Sequence, residues 1–370
     1  MDASKRASRT PMRLRKPKNA PIVGLDIQAG SVAAAEVHVN GTAHVARSAI
    51  QPLAPGTFHE GEVLDADSLA EALKALFSDF KLSKQVRLGV NNQRVVVRTL
   101  RLPAIEDPKE LEAAVRFQAQ EQIPMPLDQA VLQHQVVGGV PAEEGATPQV
   151  DVIVVAARRD MVSSFLGPVR RAGLDPVGVD LSAFGLIRAL AGVEHGQPAA
   201  DGAERPAGAT LFCNLGDVTN LAVARRRACL FTRVSQVGLE ATAARLANSR
   251  GLTPEHAAQW LSHVGLEHPL EELAGDPEIV AEARGALEDG LVELFDELRL
   301  SLDYYGAQDG AVPVEHIVLS GPGSAIPGIA SRMEAGFDIP IGVGRPPALA
   351  GFEDAAAARL TLPFGLALND

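Results

Sequence analysis

The alternation of apolar and polar positions first resolves into structure at residues 22–37, which read IVGLDIQAGSVAAAEV. An apolar run enters an acid, Asp26. A small-residue turn follows at Gln28, Ala29, Gly30 and Ser31, and a second apolar run continues over 32–39. That order predicts a β-hairpin with one carboxylate at the tip of its first strand. The Pro/Gly-rich stretch PLAPGTFHEGEV is then a loop. Asp67 or Ser68 stands where a helix would be capped, and Leu69, Leu73, Leu76 and Phe77 form its apolar face. Two β-rich runs, QVRLGV and RVVVRTLRL, flank Asn91 and Asn92, residues that suit a turn. The first unit therefore reads strand, strand, helix, strand, strand, closed by Pro103.

Beyond Pro103 the period changes. Asp107 and Pro108 start a helix through Ile123, with Leu111, Val115 and Ala119 on one side. AVLQHQVVGG is a strand, GVPAEEGATPQ a loop, VDVIVVAAR a strand and 161–172 a helix. This block, 104–174, is expected to form a small α+β subdomain inserted into the first unit, to which GLDPVGVDLSAFGLIRALAG returns. Residues 191–208 lack periodicity and read as a hinge loop.

The opening pattern then recurs about 190 residues later, the mark of a duplicated domain. ATLFCNLGDVTNLAVARRRACLFTRVSQVG is again an apolar strand, a polar tip, a second strand, an arginine turn and a third strand. Helices follow over 240–249, from a Thr253-Pro254-Glu255 cap to His263, and over 278–305 with Leu287, Leu291, Leu294, Leu298 and Leu302 on one face. VEHIVLSGPGSAIPGIASRM is a strand, a glycine-rich turn and a helix. The final stretch is a short strand and a closing helix.

Composition narrows the class. The chain has 370 residues, 46% hydrophobic and 22% charged, which suits two soluble domains with good cores. A net charge of −12 argues against a general nucleic-acid binder. Residues 1–20 hold seven cations against Asp2, so this segment is +6 and the rest −18. It lacks the apolar core of a signal peptide and is expected to be a disordered basic arm, with weak attraction to anionic lipid as the sharper idea. No apolar run approaches ~18 residues, so no membrane span is expected and the chain reads as cytoplasmic. Cys213 and Cys229 read as small buried apolar residues.

Three turns share one design, an apolar strand ending in small polar residues: GLDIQAGS, NLGDVT and LSGPGSAIPG. Two turns can grip phosphates through backbone N–H groups, the third can pack under a base, and Asp26 can hold a hydrated magnesium ion. The candidate cofactor-binding residues are Asp26, Gln28, Gly30, Ser31, Asn214, Gly216, Thr219, Gly321, Gly323 and Ser324, with Asp26 the candidate metal ligand.

Turns of this kind, in this order and spacing, resemble the phosphate and adenosine loops of the actin/Hsp70/sugar-kinase superfamily. Within it, the chain resembles the PilM family of actin-like type IV pilus assembly proteins. VGLDI, LGVNNQRVVVRTLRLP, EQIPMPLDQAVLQHQVV, VIVVAARRDMVSSFLGPVRRAGLDPVGVDLSAFGLIRA, LFTRVSQVG, SLDYY and HIVLSGPGSAIPGI carry the match over about residues 21–370.

The resemblance implies an α/β protein of two ribonuclease-H-like lobes with an inserted α+β subdomain. The first lobe would span 21–190 with the insert at 104–174, the second 209–345, and 346–370 would return to the first. It implies ATP and magnesium as cofactors, but the loops depart from the family pattern. Gln28 stands where glycine is expected, Ala33 about where lysine is, Asn214 in place of an acid, and Ala258 and Leu261 near the ribose and base positions. A pseudo-ATPase scaffold is therefore expected.

The implied partner is the N-terminal peptide of a single-span PilN-like protein at the inner face of the membrane, linked onward to the pilus motor ATPase or platform protein. The expected groove lies between first lobe and insert, walled by Val95, Val96, Val97, Leu100, Val115, Phe117 and Ala119. A nucleotide-gated version of the scaffold in type II secretion or competence, and an FtsA-like division tether, are the alternatives. A catalytic sugar or acetate kinase is set aside because its phosphate loop would have to be intact.

Overall fold

The computed structural model describes residues 21–140, 147–191, 193–194, 197–198 and 208–369. The basic arm and most of the expected hinge lie outside these.

The opening alternation forms β1 (Ile22–Ile27) and β2 (Ser31–Asn40), antiparallel, followed by β3 (Thr42–Pro52). A short hairpin, β4 (Phe58–His59) and β5 (Glu62–Val63), leads to α1 (Ala66–Asp79). Asp65, not Asp67 or Ser68, caps α1, accepting from the N–H groups of both those residues, two positions before the earlier of them. Then come β6 (Gln85–Val90), β7 (Val96–Pro103), α2 (Pro108–Gln122), β8 (Ala130–Val140), β9 (Gln149–Arg158), α3 (Arg159–Arg171), β10 (Asp175–Leu181) and α4 (Ser182–Leu190). The first sheet has the order β10-β6-β1-β2-β3. On β1, Val23, Leu25 and Ile27 alternate to one face and share a core with Leu69, Leu73, Phe165 and Val169 of α1 and α3.

Two memberships differ from the sequence reading. β7, expected in the first unit, pairs antiparallel with β9, so the insert is a three-stranded sheet, β7-β9-β8, with α2 over it. β6 is already flanked by parallel β1 and β10, which leaves no edge for β7 to fold back on. Conversely α3, expected in the insert, packs on α1 because Met161, Phe165 and Val169 form a stripe that completes the first-lobe core. The insert therefore spans β7 through β9.

After a minor hairpin, β11 (Val193–Glu194) and β12 (Gln197–Pro198), the second lobe repeats the design. β13 (Ala209–Leu215), β14 (Thr219–Arg225) and β15 (Ala228–Ser235) form the meander. α5 (Leu239–Arg250), α6 (Pro254–Val264) and α7 (Pro277–Gly306) cover it, and β16 (Val314–Ser320), α8 (Ile329–Gly336) and β17 (Ile341–Val343) complete it. Its order, β15-β14-β13-β16-β17, matches β3-β2-β1-β6-β10, with the fourth strand again parallel to the first. Asp26 and Asn214 occupy equivalent penultimate positions of β1 and β13.

The chain closes with α9 (Asp354–Ala367), which lies on β1 beside α4. Contact is at backbone distance: a Cβ on Gly24 would sit 1.8 Å from the Pro363 carbonyl, and one on Gly365 1.9 Å from the Gly185 carbonyl. Ala33, Ala35, Phe212, Ala222 and Val318 join α4 and α9 in a core shared between the lobes. Cys213 and Cys229 are free and buried, and burial pushes both thiols up. No helix among the described residues is long and apolar enough to cross a membrane.

Candidate functional site at the junction of the lobes

The first turn is closed on itself. The Gln28 N–H donates to the Ser31 carbonyl at 2.9 Å and the Ser31 N–H to the Gln28 carbonyl at 3.3 Å. Beneath it, α9 delivers Arg359, which is 6% exposed and donates to Asp26 Oδ2 at 2.5 Å, to the Asp26 carbonyl at 3.2 Å and to the Ser31 carbonyl at 3.0 Å. Its Nε donates to Ser31 Oγ at 3.1 Å. Asp26, only 1% exposed, also accepts from Gln28 Nε2 at 3.0 Å. The carboxylate read as a magnesium holder is thus neutralised and tied to the closing helix. Among the described residues no His/Cys/Asp/Glu cluster is arranged to hold a metal ion.

The second turn lies against the first. A Cβ on Gly216 would stand 3.1 Å from Gln28 Nε2 and 3.4 Å from Asn214 Nδ2, so the Gln28 amide fills the gap between the turns. Asp217 reaches across to accept from the Ala29 N–H. Loss of water around this carboxyl pushes its pKa up to about 7, with Glu240 and Asp26 adding to the rise against the Ala29 N–H. The third turn packs directly beneath. Gly321, at φ 81°, would place a Cβ 2.7 Å from the Leu215 carbonyl, and Ser324 Oγ donates to the Gly321 carbonyl at 2.7 Å. Asp26 Oδ1, Asn214 Nδ2, Thr219 Oγ1, Asn220 Oδ1 and Ser320 Oγ are buried here without a protein partner.

Further bonds join the lobes at the mouth of this cleft. His59, at the β4–β5 turn, meets Glu240 Oε1 of α5 at 2.6 Å, and that contact raises the His59 pKa. Gln236 Nε2 donates to Glu60 Oε2 at 2.9 Å, and Gln93 Nε2 to the Val234 carbonyl at 3.3 Å.

Three cavities surround the junction. One lies between the second and third turns and α5 and α7, lined by Leu215, Gly216, Gly238, Leu287 and Gly323. A polar cleft of about 600 Å3 separates β7 from β15. An apolar groove of about 160 Å3 lies between the first lobe and the insert, lined by Val90, Val95, Val131, Val155, Met161 and Phe184.

With this geometry in view, the likeness to known proteins is decisive. The profile of the family described as type IV pilus assembly protein PilM matches residues 24–360. The chain belongs to that family. A solved structure described as the PilM-PilN type IV pilus biogenesis complex is 27% identical, with a TM-score of 0.76 over 94% of this chain and 98% of that one. Fold alone is shared with ethanolamine utilization protein EutJ from Carboxydothermus hydrogenoformans, at 14% identity, TM-score 0.51 and coverage of 96% and 90%. The same holds for MreB5 of Spiroplasma citri bound to ADP, at 13%, 0.53, 94% and 95%.

In this PilM-family chain the three turns converge, and the candidate cleft residues other than Gly30, which faces open space, are brought together. The expected groove walls are not. Val95 lines both the apolar groove and the polar cleft, whereas Val96 and Val97 line only the latter of the two. Leu100, Val115 and Ala119 are fully buried in the insert core because Leu100 of β7 and Val115 and Ala119 of α2 pack together between helix and sheet, and Phe117 is 69% exposed on the outer side of α2. Sequence reasoning missed Arg359, Asp217, Val131 and Val155. The available signal for Val155 was β9 itself, apolar on both faces where a solvated sheet would alternate.

Proposed function

We propose that this PilM-family chain is a scaffold of type IV pilus assembly at the cytoplasmic face of the inner membrane. It holds the N-terminal peptide of a PilN-like single-span partner and links it, through the insert, to the pilus motor ATPase or platform protein. The apolar groove between first lobe and insert carries this reading. Its walls come from two bodies, its lining is mostly aliphatic with Gln133 and Asp180 as the polar members, and its volume of about 160 Å3 suits a few side-chain anchors of an extended peptide. The likeness to a solved PilM-PilN complex supports the choice of partner class.

On the same reading the interlobe cleft is a degenerate nucleotide site, and the chain is a pseudo-ATPase. The residues present do not fit a magnesium triphosphate. The Gln28 and Ser31 N–H groups are spent within their own turn, and Ala29 N–H is spent on Asp217. Asp26 is paired with Arg359, and the Gln28 amide lies against Gly216.

Isothermal titration of a partner N-terminal peptide and of magnesium-ATP into the purified protein tests both halves. Peptide binding without ATP heat is expected, and Val131→Asp or Val155→Asp lowers peptide affinity at least about tenfold by placing a charge in an apolar wall. Tight ATP binding, or peptide binding that survives both substitutions, overturns the respective half.

A further inference from the structure

The β14–β15 hairpin ends in Arg225, Arg226 and Arg227, all exposed. Arg225 pairs with Ala228, so Arg226 and Arg227 form a two-residue loop. Such loops call for positive φ at one or both central residues, which favours Gly there. Arg226 sits at φ 57°, a region that disfavours residues with a Cβ. The local preference of the chain is thus overridden to keep a cation at the tip.

These cations are also unspent. Elsewhere arginines are drawn to carboxylates: Arg101 to Asp151, Arg245 to Glu293, Arg345 to Asp354. None of Arg225, Arg226 and Arg227 makes an ion pair or side-chain hydrogen bond among the described residues. In a chain of net charge −12, three adjacent uncompensated cations form a local field opposite in sign to the whole.

We infer that the β14–β15 tip is an electrostatic contact for the anionic phospholipid headgroups of the membrane face on which the scaffold works. This rests on the membrane-side reading given above. A folded protein partner needs about 1,000 Å2 of complementary surface with an apolar centre, and one two-residue tip supplies neither. A nucleic acid would be repelled by the rest of the molecule. A lipid surface asks only for cations within about one Debye length, roughly 8 Å, each strengthening attachment about fivefold.

Sedimentation of the full chain with phosphatidylcholine vesicles, with and without roughly one-third phosphatidylglycerol, tests it. The decisive variant is Arg226→Gly with Arg227→Asn, which puts the residue without a Cβ at the one loop position whose φ is positive. Its melting temperature should hold or rise, while partitioning to the anionic vesicles falls about 30-fold at low salt. Because residues 1–20 are also basic, the comparison is repeated in a full-length chain with its seven tail cations changed to Gln. A drop of similar size in both backgrounds supports the assignment. Equal binding of hairpin variant and wild type in either background, or wild-type binding that ignores phosphatidylglycerol, overturns it. So does competition by polyglutamate in preference to vesicles, which would mark an acidic protein as occupant. Titration of the partner peptide into the hairpin variant separates the two claims. Loss of peptide binding in the wild type sinks the scaffold reading and leaves the vesicle result standing, and the reverse pattern sinks only the tip.

Discussion

Arg359 Nη1 lies 2.5 Å from Asp26 Oδ2, joining residues 333 positions apart in a pocket that water barely reaches. The pair locks the first turn to the closing helix, and it places a fixed cation on Oδ2 of the carboxylate read as a metal ligand.

Removing one partner of such a pair leaves the other charge stranded at full desolvation cost. Arg359→Met is expected to destabilise the fold by about 3–5 kcal/mol, measured by urea unfolding. Adding Asp26→Asn to it should recover part of that loss, since no charge then remains buried. A single variant within about 0.5 kcal/mol of wild type would show that water reaches the pair.

Asp217 makes stability depend on pH. Its folded value, about 7, lies above the ordinary 3.8, so the folded chain binds the extra proton between the two. The contribution is therefore fully present below pH ~4 and lost as pH rises through ~7. Because the residue is partly exposed, the loss is on the order of 2 kcal/mol. Asp217→Asn keeps an acceptor for the Ala29 N–H and should flatten the unfolding free energy over this window, raising stability at pH 8. The His59–Glu240 contact has the same sign: a raised histidine stabilises at low pH and weakens as pH passes its folded value. Being exposed, it adds only a few tenths of a kcal/mol, so a His59→Gln control should barely change the profile.

The insert distinguishes core from surface among the aliphatic positions first read as groove walls. Leu100 is buried against α2, so Leu100→Ala should cost about 2–5 kcal/mol in thermal or urea unfolding. Phe117 stands free on the other side of α2, and Phe117→Ser should stay within about 0.5 kcal/mol and leave peptide affinity unchanged. A sharp loss of peptide binding in the Phe117 variant would relocate the groove.

Those contrasts mark what periodicity can and cannot reveal. The hairpins at Asp26 and Asn214, the apolar face of α1 and the leucine face of α7 were legible because each is a local repeat with its own punctuation. The partner of a strand is not local: the alternation in β7 states that one face is buried, not that β9 buries it. Arg359 was hidden for the same reason. It reads as one cation in the Ala-rich run DAAAARLTLPFGLA, and only the crossing of α9 over β1 places it beneath Asp26.

Gln28 tests which obstacle closes the cleft. Gln28→Gly removes the amide that fills the space over Gly216, yet it leaves Ala29 N–H bonded to Asp217 and leaves that carboxyl facing any incoming anion. The single variant is therefore expected to lose about 1 kcal/mol of stability, from its bond to Asp26 and added chain entropy, without gaining magnesium-ATP or pyrophosphate heat. Combining it with Asp217→Asn removes both the plug and the repelling charge and lets an anion compete for the Ala29 N–H. Titration calorimetry should then show pyrophosphate binding, weak because Asp26 stays paired with Arg359 and Asn214 carries no charge to order a cation. If the single variant already binds ATP tightly, the side chain alone is the barrier and the second turn is still competent. If the double variant remains silent, the self-closed geometry of the 28–31 turn is the deeper block, because its remaining N–H groups stay committed to their own carbonyls.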